Sequence, residues 1–269
     1  MTPDPPTYYF QRLRAGSNFQ SLTPAKFEWN QYTLPFSRSR DDVPLRMVHL
    51  SDLHAGTDWL EGYDAILSAV RDSQPDVVLF TGDFVDKQAD PTPASAIGAR
   101  FFKGISARLG VFGVLGNHDP AWLGERLVDW GITHLDHASA TISVGGRDVE
   151  IIGLPGTHRD TLRADYIQSL EKAPPRSTNQ LRIILAHFPD LIRSVEQLRP
   201  DLFLAGHTHG GQICLPGRIP ILRHAALPRH LCTGVHRYQR SWLIVNRGIG
   251  FTGVPLRLFC PSEIIEIIV

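Results

Sequence analysis

The sequence is poor in cysteine and contains no long hydrophobic run. Its three cysteines, Cys214, Cys232 and Cys260, are an odd number without the spacing of a metal site. We therefore expect free thiols in a reducing compartment and no disulfide framework. No apolar stretch approaches the roughly 18 to 20 residues that span a bilayer, which argues against a transmembrane segment. The N-terminus lacks a charged region followed by an apolar core, so the expected location is the cytoplasm.

Acidic residues are missing from a stretch of 61 residues near the end of the chain, 202–262. Between Leu202 and Ser262 there is no Asp or Glu, although the whole chain balances 27 acidic against 27 basic residues. Seven arginines occur in this stretch: Arg218, Arg223, Arg229, Arg237, Arg240, Arg247 and Arg257. Such a positive region fits an anionic, phosphate-containing small molecule or lipid nucleotide, with a solvated basic face as the alternative. The absence of lysines and binding motifs there argues against duplex nucleic acid.

Residues 1–40 differ in composition from the rest of the chain. Pro3, Pro5 and Pro6 open this segment, and aromatic residues follow. We interpret 1–40 as a leader segment, mobile in its first part, and 41–269 as a single domain. The alternation from Phe27 to Leu34 predicts an edge strand. The aromatic residues would also suit peripheral contact with the inner membrane, but without a clear amphipathic helix we favour packing against the domain.

From Leu45 onward, short apolar strands alternate with helical patterns, and polar residues follow the strands. Strands are predicted at 46–50, 76–80, 111–115, 131–135, 140–144, 148–153, 181–186, 201–205, 241–246, 256–260 and 263–269. Helices are predicted at 60–70, 94–109, 161–172 and 190–198. The three strands between 131 and 153, with Gly145-Gly146 between the last two, indicate a hairpin in a second sheet. This βαβ pattern predicts an α/β fold that binds ligands beyond the carboxyl ends of its strands.

Five strand ends supply candidate ligands. They are Asp52, His54, Asp83, Asn117, His118, His187, His207 and His209. If the backbone from His207 to His209 is extended, the two imidazoles lie on the same side of the chain and can face a single metal ion. Any one of these residues alone would most often be a capping or surface residue. Five polar clusters at five strand ends favour a shared metal site.

The order of these clusters resembles that of the calcineurin-like metallophosphoesterases. The blocks Asp-x-His, Gly-Asp-x-x-Asp, Gly-Asn-His-Asp, a single His and Gly-His-x-His stand at positions 52, 82, 116, 187 and 206. The continuation at 210–212, together with 247–250 and 255–260, is similar to a bacterial subgroup that includes UDP-2,3-diacylglucosamine pyrophosphatases and phosphodiesterases. The resemblance covers about residues 45–269. It implies a four-layer α/β/β/α sandwich with a dinuclear metal site at the C-terminal ends of the strands.

The resemblance also implies a role for each cluster. Asp83 would bridge two divalent ions, with Asp52, His54 and His209 on one ion and Asn117, His187 and His207 on the other. His118 would protonate the leaving oxygen, and Asp86 would orient the His118 ring. Asn117 would complete this catalytic group. Nitrogen and oxygen ligands without sulfur fit manganese, iron or zinc, and the resemblance favours manganese. We expect Asn117, His118 and Arg247 to contact the substrate.

The expected reaction is hydrolysis of a phosphodiester or pyrophosphate bond by metal-activated hydroxide. Two metals lower the pKa of a bridging water from ~15.7 toward neutrality. UDP-2,3-diacylglucosamine or a related nucleotide or lipid phosphate is the candidate substrate. Two alternatives stay open: a phosphomonoesterase or phosphoprotein phosphatase, and a non-catalytic metal-binding module on the same fold.

Overall fold

The computed structural model describes residues 8–36, 43–86, 91–154, 156, 180–222 and 224–269. Two β-sheets stack face to face, and a helical layer covers the outer face of each sheet. This arrangement confirms the predicted four-layer α/β/β/α sandwich. The predicted helix at 161–172 lies outside the described residues, and the division of the chain at residue 40 stays a prediction.

The larger sheet has seven strands. In spatial order they are β1 (Tyr9–Arg14), β3 (Glu28–Thr33), β17 (Glu263–Ile268), β4 (Arg46–Leu50), β5 (Val77–Phe80), β6 (Val111–Gly113) and β7 (Thr133–His134). Strands β4 to β7 run parallel to one another, as the βαβ pattern predicts. The strand predicted at the N-terminus is present as β3, but it is not an edge strand, because β1 pairs with one side of it and β17 with the other.

The second sheet has six strands. In spatial order they are β14 (Gly234–Tyr238), β15 (Ser241–Val245), β11 (Leu202–Ala205), β10 (Gln180–Leu185), β9 (Arg147–Gly153) and β8 (Ala138–Val144). The predicted hairpin is confirmed, since β8 and β9 pair antiparallel. The strand predicted at 131–135 belongs instead to the first sheet, where β7 pairs with β6.

Two small ribbons lie outside these sheets. One pairs β2 (Phe19–Ser21) with β16 (Leu256–Leu258), and the other pairs β12 (Cys214–Leu215) with β13 (Ile219–Pro220). An isolated bridge between Ile213 and Leu258 connects the two ribbons.

Three apolar layers hold the sandwich together. The helices α1 (Tyr63–Asp72) and α2 (Pro91–Lys103) cover the outer face of the first sheet, and a single turn, α3 (Leu123–Arg126), follows later. The inward residues of both sheets form the central layer. The outer face of the second sheet packs against two 3₁₀ turns, Pro189–Arg193 and Glu196–Leu198. Alternate strand residues thus enter different layers, as the two-residue period of a strand requires.

Two predicted helices differ from the observed ones. The helix predicted at 94–109 ends at Lys103. Gly104, which follows, is a poor helix former. The helix predicted at 190–198 is two 3₁₀ turns, because Val195 between them leaves helical geometry. No helix among the described residues combines the length and hydropathy needed to cross a membrane. Cys214, Cys232 and Cys260 are buried, and none of them forms a disulfide within the described residues.

The parallel strands of both sheets end at one edge of the sandwich. Strands β4, β5 and β6 of the first sheet and β10 and β11 of the second direct their carboxyl ends there. Hydrogen bonds couple the segments that follow. The Asp52 amide donates to the Gly82 carbonyl, and the Gly206 amide donates to the His187 carbonyl. The polar residues after these strands therefore meet in one place.

Candidate metal centre

Several of the predicted ligands have left-handed backbone conformations. The φ angles are 50° for Asp52, 45° for His54, 59° for Asp83, 68° for His207 and 50° for His209. Such angles cost non-glycine residues on the order of 1 kcal/mol each, and they persist only where the surroundings enforce them. The expectation that His207 and His209 are extended and face one point is therefore wrong. The turn directs the two imidazoles to different clusters.

Glycines allow the strand ends to approach closely. A Cβ atom at Gly206 would overlap the Asp52 carboxylate and the Ser51 hydroxyl, and one at Gly116 would overlap Asp83. The glycines of the Gly-His-x-His and Gly-Asn-His-Asp blocks are thus required by contact with the carboxylates. Larger residues there would push the two carboxylates out of place.

The first cluster contains Asp52, His54 and His209, all buried. The Nε2 atoms of His54 and His209 are 3.0 Å apart, and His209 Nε2 is 3.3 Å from Asp52 Oδ1. Three ligand atoms of the types that bind divalent transition metals therefore face one small volume. These are the residues that the resemblance places on one ion.

The second cluster contains Asn117, His187 and His207. The Nε2 atom of His187 lies 3.0 Å from Asn117 Oδ1 and 3.2 Å from His207 Nδ1. The outer nitrogens of both imidazoles face backbone carbonyls: His187 Nδ1 is 2.7 Å from Thr81 O, and His207 Nε2 is 3.1 Å from His224 O. Because each outer N–H is donated to a carbonyl, the inner nitrogen keeps its lone pair for a metal ion.

Asp83 lies between the two clusters. Its Oδ2 atom is 3.4 Å from His54 Nε2 and 3.2 Å from His187 Nε2, while its Oδ1 atom accepts a hydrogen bond from the His118 amide. One carboxylate oxygen thus faces a ligand nitrogen from each cluster. This is the position that a carboxylate shared by two ions must occupy.

The protonation states also suit cations. Burial opposes ionisation of Asp52 and Asp83, but the adjacent histidines hold the pKa of both carboxyls well below their usual range. Burial lowers the pKa of His54 and of His207 to about 3, which leaves both imidazoles neutral. His187 is the exception: burial works against its charge, but Asp83 raises its pKa to about 9. The protonated His187 offsets only one of the two buried carboxylate charges, since His54 and His207 are neutral. A divalent ion would take the place of the His187 proton, and the residues therefore fit a divalent metal centre.

His118 and Asp86 border this centre on the solvent side. The His118 ring packs edge-on against His54 with 4.6 Å between ring centroids, and its Nδ1 atom is 3.9 Å from Asp86 Oδ1. Both side chains are partly exposed. The structure therefore brings together the pair that the resemblance identifies, at a distance longer than a hydrogen bond.

Asp119 supports the loop that carries Asp83. Its carboxylate accepts hydrogen bonds from four backbone amides, those of Asp83, Phe84, Val85 and Gly116. Burial and the Asp83 charge raise the pKa of Asp119 to about 8, and the amide donors oppose this rise. The aspartate that ends the Gly-Asn-His-Asp block thus ties two strand ends together.

The structure corrects the expectation for Arg247. Its guanidinium is 3% exposed and pairs with Glu28 at 2.7 Å and with Glu263 at 2.9 Å. A side chain enclosed by two carboxylates cannot also contact a substrate in the cleft. The positive region predicted for the last quarter is weaker than the sequence implies, because Arg218 also pairs with Glu28 and Arg257 is fully buried.

Arg257 is a residue that sequence reasoning missed. Its Nη2 atom donates to the carbonyls of Arg247 and Gly250 and lies 3.1 Å from His209 Nδ1. The side chain thus holds the loop behind one candidate ligand. The available signal was an arginine inside the short apolar strand β16.

A cleft of about 340 Å³ opens beside the first cluster. His54 and Asp86 line its inner end, and Leu60, Phe251 and Pro255 contribute apolar surface. A phosphate at the metal centre would have room here for the group attached to it.

Comparison with known proteins identifies the family. The family model of the calcineurin-like phosphoesterases matches residues 45–211. The chain is 28% identical to the uncharacterized metallophosphoesterase YkuE of Bacillus subtilis (strain 168) over 263 residues, which are 94% of this chain and 90% of that protein. It is also 28% identical to the phosphodiesterase YaeI of Escherichia coli (strain K12), covering 90% of this chain and 87% of YaeI.

Two further comparisons involve longer proteins. A transmembrane protein with a metallophosphoesterase domain from Danio rerio is 33% identical over 241 residues, which are 83% of this chain and about half, 53%, of that protein. The solved structure of Haemophilus influenzae NAD nucleotidase (NadN) aligns with a TM-score of 0.51 at 15% identity, covering 78% of this chain and 46% of NadN, and supports the fold alone. Taken with the family match, these findings show that the chain belongs to the calcineurin-like phosphoesterases and is a metal-dependent hydrolase of phosphoric esters.

Proposed function

We propose that the protein hydrolyses a phosphodiester or pyrophosphate bond with two divalent metal ions. Asp52, His54 and His209 would hold one ion, Asn117, His187 and His207 the other, and Asp83 both. The observation that carries this proposal is the position of Asp83 Oδ2, 3.4 Å from His54 Nε2 and 3.2 Å from His187 Nε2. When bound, a metal pair of this kind activates water and polarises the phosphoryl group.

The ligand set favours an anionic substrate. Only two of the seven proposed ligands are carboxylates, and the histidines among them other than His187 are neutral by the directions of their pKa shifts. Two divalent cations would therefore keep an excess of positive charge, which attracts a phosphate oxygen. Manganese remains the proposed metal, and iron and zinc suit the same donors.

His118 is proposed to protonate the leaving oxygen. Its Nδ1 atom is buried and faces Asp86, so Nε2 is the nitrogen left to carry a proton toward the cleft. Asp86 would orient the ring and stabilise its protonated form. Asn117, which precedes His118, would contact the phosphate from the metal side.

The cleft supports a substrate with a group on each side of the phosphate. A phosphodiester or a pyrophosphate has a substituent on each side of the phosphorus that is attacked. The phosphodiesterase YaeI, which is similar to this chain over most of the length of both proteins, supports this choice. Leu60 and Phe251 would contact an apolar or aromatic part of the leaving group. UDP-2,3-diacylglucosamine or a related nucleotide or lipid phosphate is the substrate class we propose. The proposed location of the protein is the cytoplasm, which the three buried thiols support.

The test compares two chromogenic esters with manganese added. Bis(p-nitrophenyl) phosphate should be hydrolysed with a higher kcat/KM than p-nitrophenyl phosphate. A reversed preference would support the monoesterase alternative, and inertness toward both would support a binding module. Mass spectrometry after incubation with UDP-diacylglucosamine, cyclic nucleotides and dinucleotides then identifies the bond that is cleaved.

A further inference from the structure

Three buried polar side chains lie in a row behind the metal centre. His49, Ser51 and Thr81 are each 0% exposed. The Nε2 atom of His49 is 2.9 Å from Thr81 Oγ1, and Thr81 Oγ1 is 2.7 Å from Ser51 Oγ. We name these three side chains the polar row. Polar groups are costly to bury unless they are hydrogen-bonded, and in the polar row each side chain bonds to the next.

The protons in the polar row point toward the metal centre. Burial lowers the pKa of His49 to about 3, so its neutral imidazole carries a single N–H. The Nδ1 atom of His49 is buried and has no hydrogen-bond partner in the described part of the chain. Because a buried N–H is seldom left without an acceptor, the proton lies on Nε2 and is donated to Thr81. Thr81 then donates to Ser51, and the Ser51 hydroxyl keeps its own proton for an acceptor beyond the row.

The polar row ends at Asp52, a proposed ligand of the first cluster. A Cβ atom at Gly206 would overlap both the Ser51 hydroxyl and Asp52 Oδ2, so these two oxygens adjoin each other. The His207 amide donates to both carboxylate oxygens at 3.1 Å. Oδ1 is the oxygen that faces His209 Nε2, at 3.3 Å. A donor on the Oδ2 side therefore leaves Oδ1 directed into the first cluster.

Thr81 also contacts the second cluster. Its backbone carbonyl oxygen lies 2.7 Å from His187 Nδ1. Its amide donates to Leu50 O, and the Asp52 amide donates to Gly82 O, which follows Thr81. The hydroxyl of Thr81 thus serves the first cluster and its carbonyl the second. A change of side chain at this position removes the first contact and keeps the second.

We propose that Thr81 is a positioning residue whose hydroxyl, acting through Ser51, holds the Asp52 carboxylate in place for the first of the two metal ions. His49 fixes the direction of that hydroxyl, because it donates to the oxygen and leaves the Thr81 proton for Ser51. The existence of two ions rests on the proposed function, whereas the role of Thr81 concerns the affinity for one of them. Loss of a hydrogen-bond partner of a metal ligand typically weakens metal affinity about 10- to 100-fold.

The test is titration of the metal-free full chain with Mn²⁺, with free Mn²⁺ measured by electron paramagnetic resonance. Thr81→Val keeps the branched shape and the carbonyl and removes the hydroxyl. We expect one of the two dissociation constants to rise about tenfold or more and the other to change by less than about threefold. The weakened site should be the one that His54→Gln removes, since His54 belongs to the first cluster. Thr81→Ser restores a hydroxyl and should restore the affinity.

Ser241→Ala is the matched control. It also removes a buried hydroxyl, which donates to Pro200 O at 2.6 Å at the start of β15. Its two dissociation constants should equal those of the unaltered protein. Thermal unfolding of each variant checks that it is folded at the temperature of the titration. If Thr81→Val is not folded there, Ser51→Ala takes its place, with the same expected direction.

Three outcomes would overturn the role of Thr81. They are unchanged constants in Thr81→Val, equal weakening of both constants, and no recovery in Thr81→Ser. Two ions bound by the unaltered protein would in each case leave the proposed function intact. Failure of the unaltered protein to bind a second ion would instead overturn both the proposed function and the role of Thr81.

Discussion

Two clusters of buried charged residues in the described part of the chain differ in how their charges are met. In the metal centre, Asp52 and Asp83 face histidines. In the second cluster, which we name the ionic cluster, Glu28 and Glu263 face Arg247, and Glu28 also faces Arg218. The ionic cluster is complete within the chain, whereas the metal centre needs an added cation. Burial of charge alone therefore does not identify a functional site. A functional site is indicated where several possible metal ligands converge and no positive side chain balances their carboxylates.

The two clusters also differ in backbone conformation. Glu28 and Glu263 are register partners on the parallel strands β3 and β17, with ordinary strand geometry. Asp52, His54 and Asp83 have φ angles of 50°, 45° and 59°. Strain is concentrated where side chains must be directed to one point, and regular strands suffice where an arginine can reach between two carboxylates.

The largest effect is expected from Asp83→Asn in the metal centre. The substitution keeps the shape of the side chain and removes the charge shared by the two clusters. We expect kcat/KM to fall by about ten-thousandfold and at least one bound ion to be lost. Metal analysis by mass spectrometry and turnover of bis(p-nitrophenyl) phosphate measure the two effects.

Asp129→Asn is the control for that substitution, since its side chain is 63% exposed and lies in the turn after α3. It should change neither quantity. Full metal content and activity in Asp83→Asn would show that the two clusters do not share this carboxylate.

His118→Ala should give the next largest effect. The imidazole borders the centre without belonging to its two ligand clusters, so both ions should stay bound while the rate falls by about a hundredfold. The loss should be smaller for a substrate with a good leaving group such as p-nitrophenolate than for one with an alkoxide leaving group. Loss of an ion would instead make His118 a ligand, and an unchanged rate would remove its assigned role.

Arg247→Met tests the ionic cluster. Two buried glutamates would lose the guanidinium between them, and we expect the free energy of unfolding to fall by about 3 to 5 kcal/mol. Turnover per folded molecule should fall much less than in His118→Ala. Denaturant titration and activity of the folded fraction give the two values.

The comparison for Arg247→Met is Arg108→Met. Arg108 pairs with Asp76 at 2.8 Å with 57% of its side chain exposed, and an exposed pair contributes less than about 1 kcal/mol. If Arg247→Met is stable but loses substrate affinity, Arg247 contacts the substrate after all.

The smallest effect concerns pH. Burial opposes ionisation of Glu28, but hydrogen bonding with Arg218 and the charge of Arg247 hold its pKa below the usual value. A depressed pKa in the folded state means that the stabilisation is complete above the unfolded pKa of about 4.3 and is lost as pH falls below it. Glu28→Gln should therefore flatten the loss of stability between about pH 5 and about pH 3, by about 1 to 2 kcal/mol.

Urea titrations of both proteins across this pH range measure the slope. Parallel slopes would mean that Glu28 is not held ionised by its arginines. Glu150→Gln provides the comparison, since Glu150 pairs with Arg182 at 2.7 Å away from both clusters.

The sequence by itself, through its strand patterns and its resemblance to a known family, predicted the sandwich and the residues that the structure gathers at the candidate metal centre. Strand patterns predicted the bounds of β4, β5, β10 and β11 to within a residue or two, because apolar periodicity is a local property of the sequence. The residues after those strands could be listed because carboxyl ends of parallel strands share an edge. All the site residues predicted in the sequence analysis lie at the candidate metal centre or beside it, except Arg247.

Only the tertiary structure decided the backbone geometry that directs those side chains and which charges are used elsewhere. The left-handed turns at His207 and His209 depend on contacts with distant glycines and carboxylates, and local spacing suggested an extended pair instead. Arg247 appeared available for a phosphate because its partners, Glu28 and Glu263, are 219 and 16 residues away in the chain. Charge pairing across a buried layer depends on which strands become neighbours, and that is fixed when the whole sheet assembles.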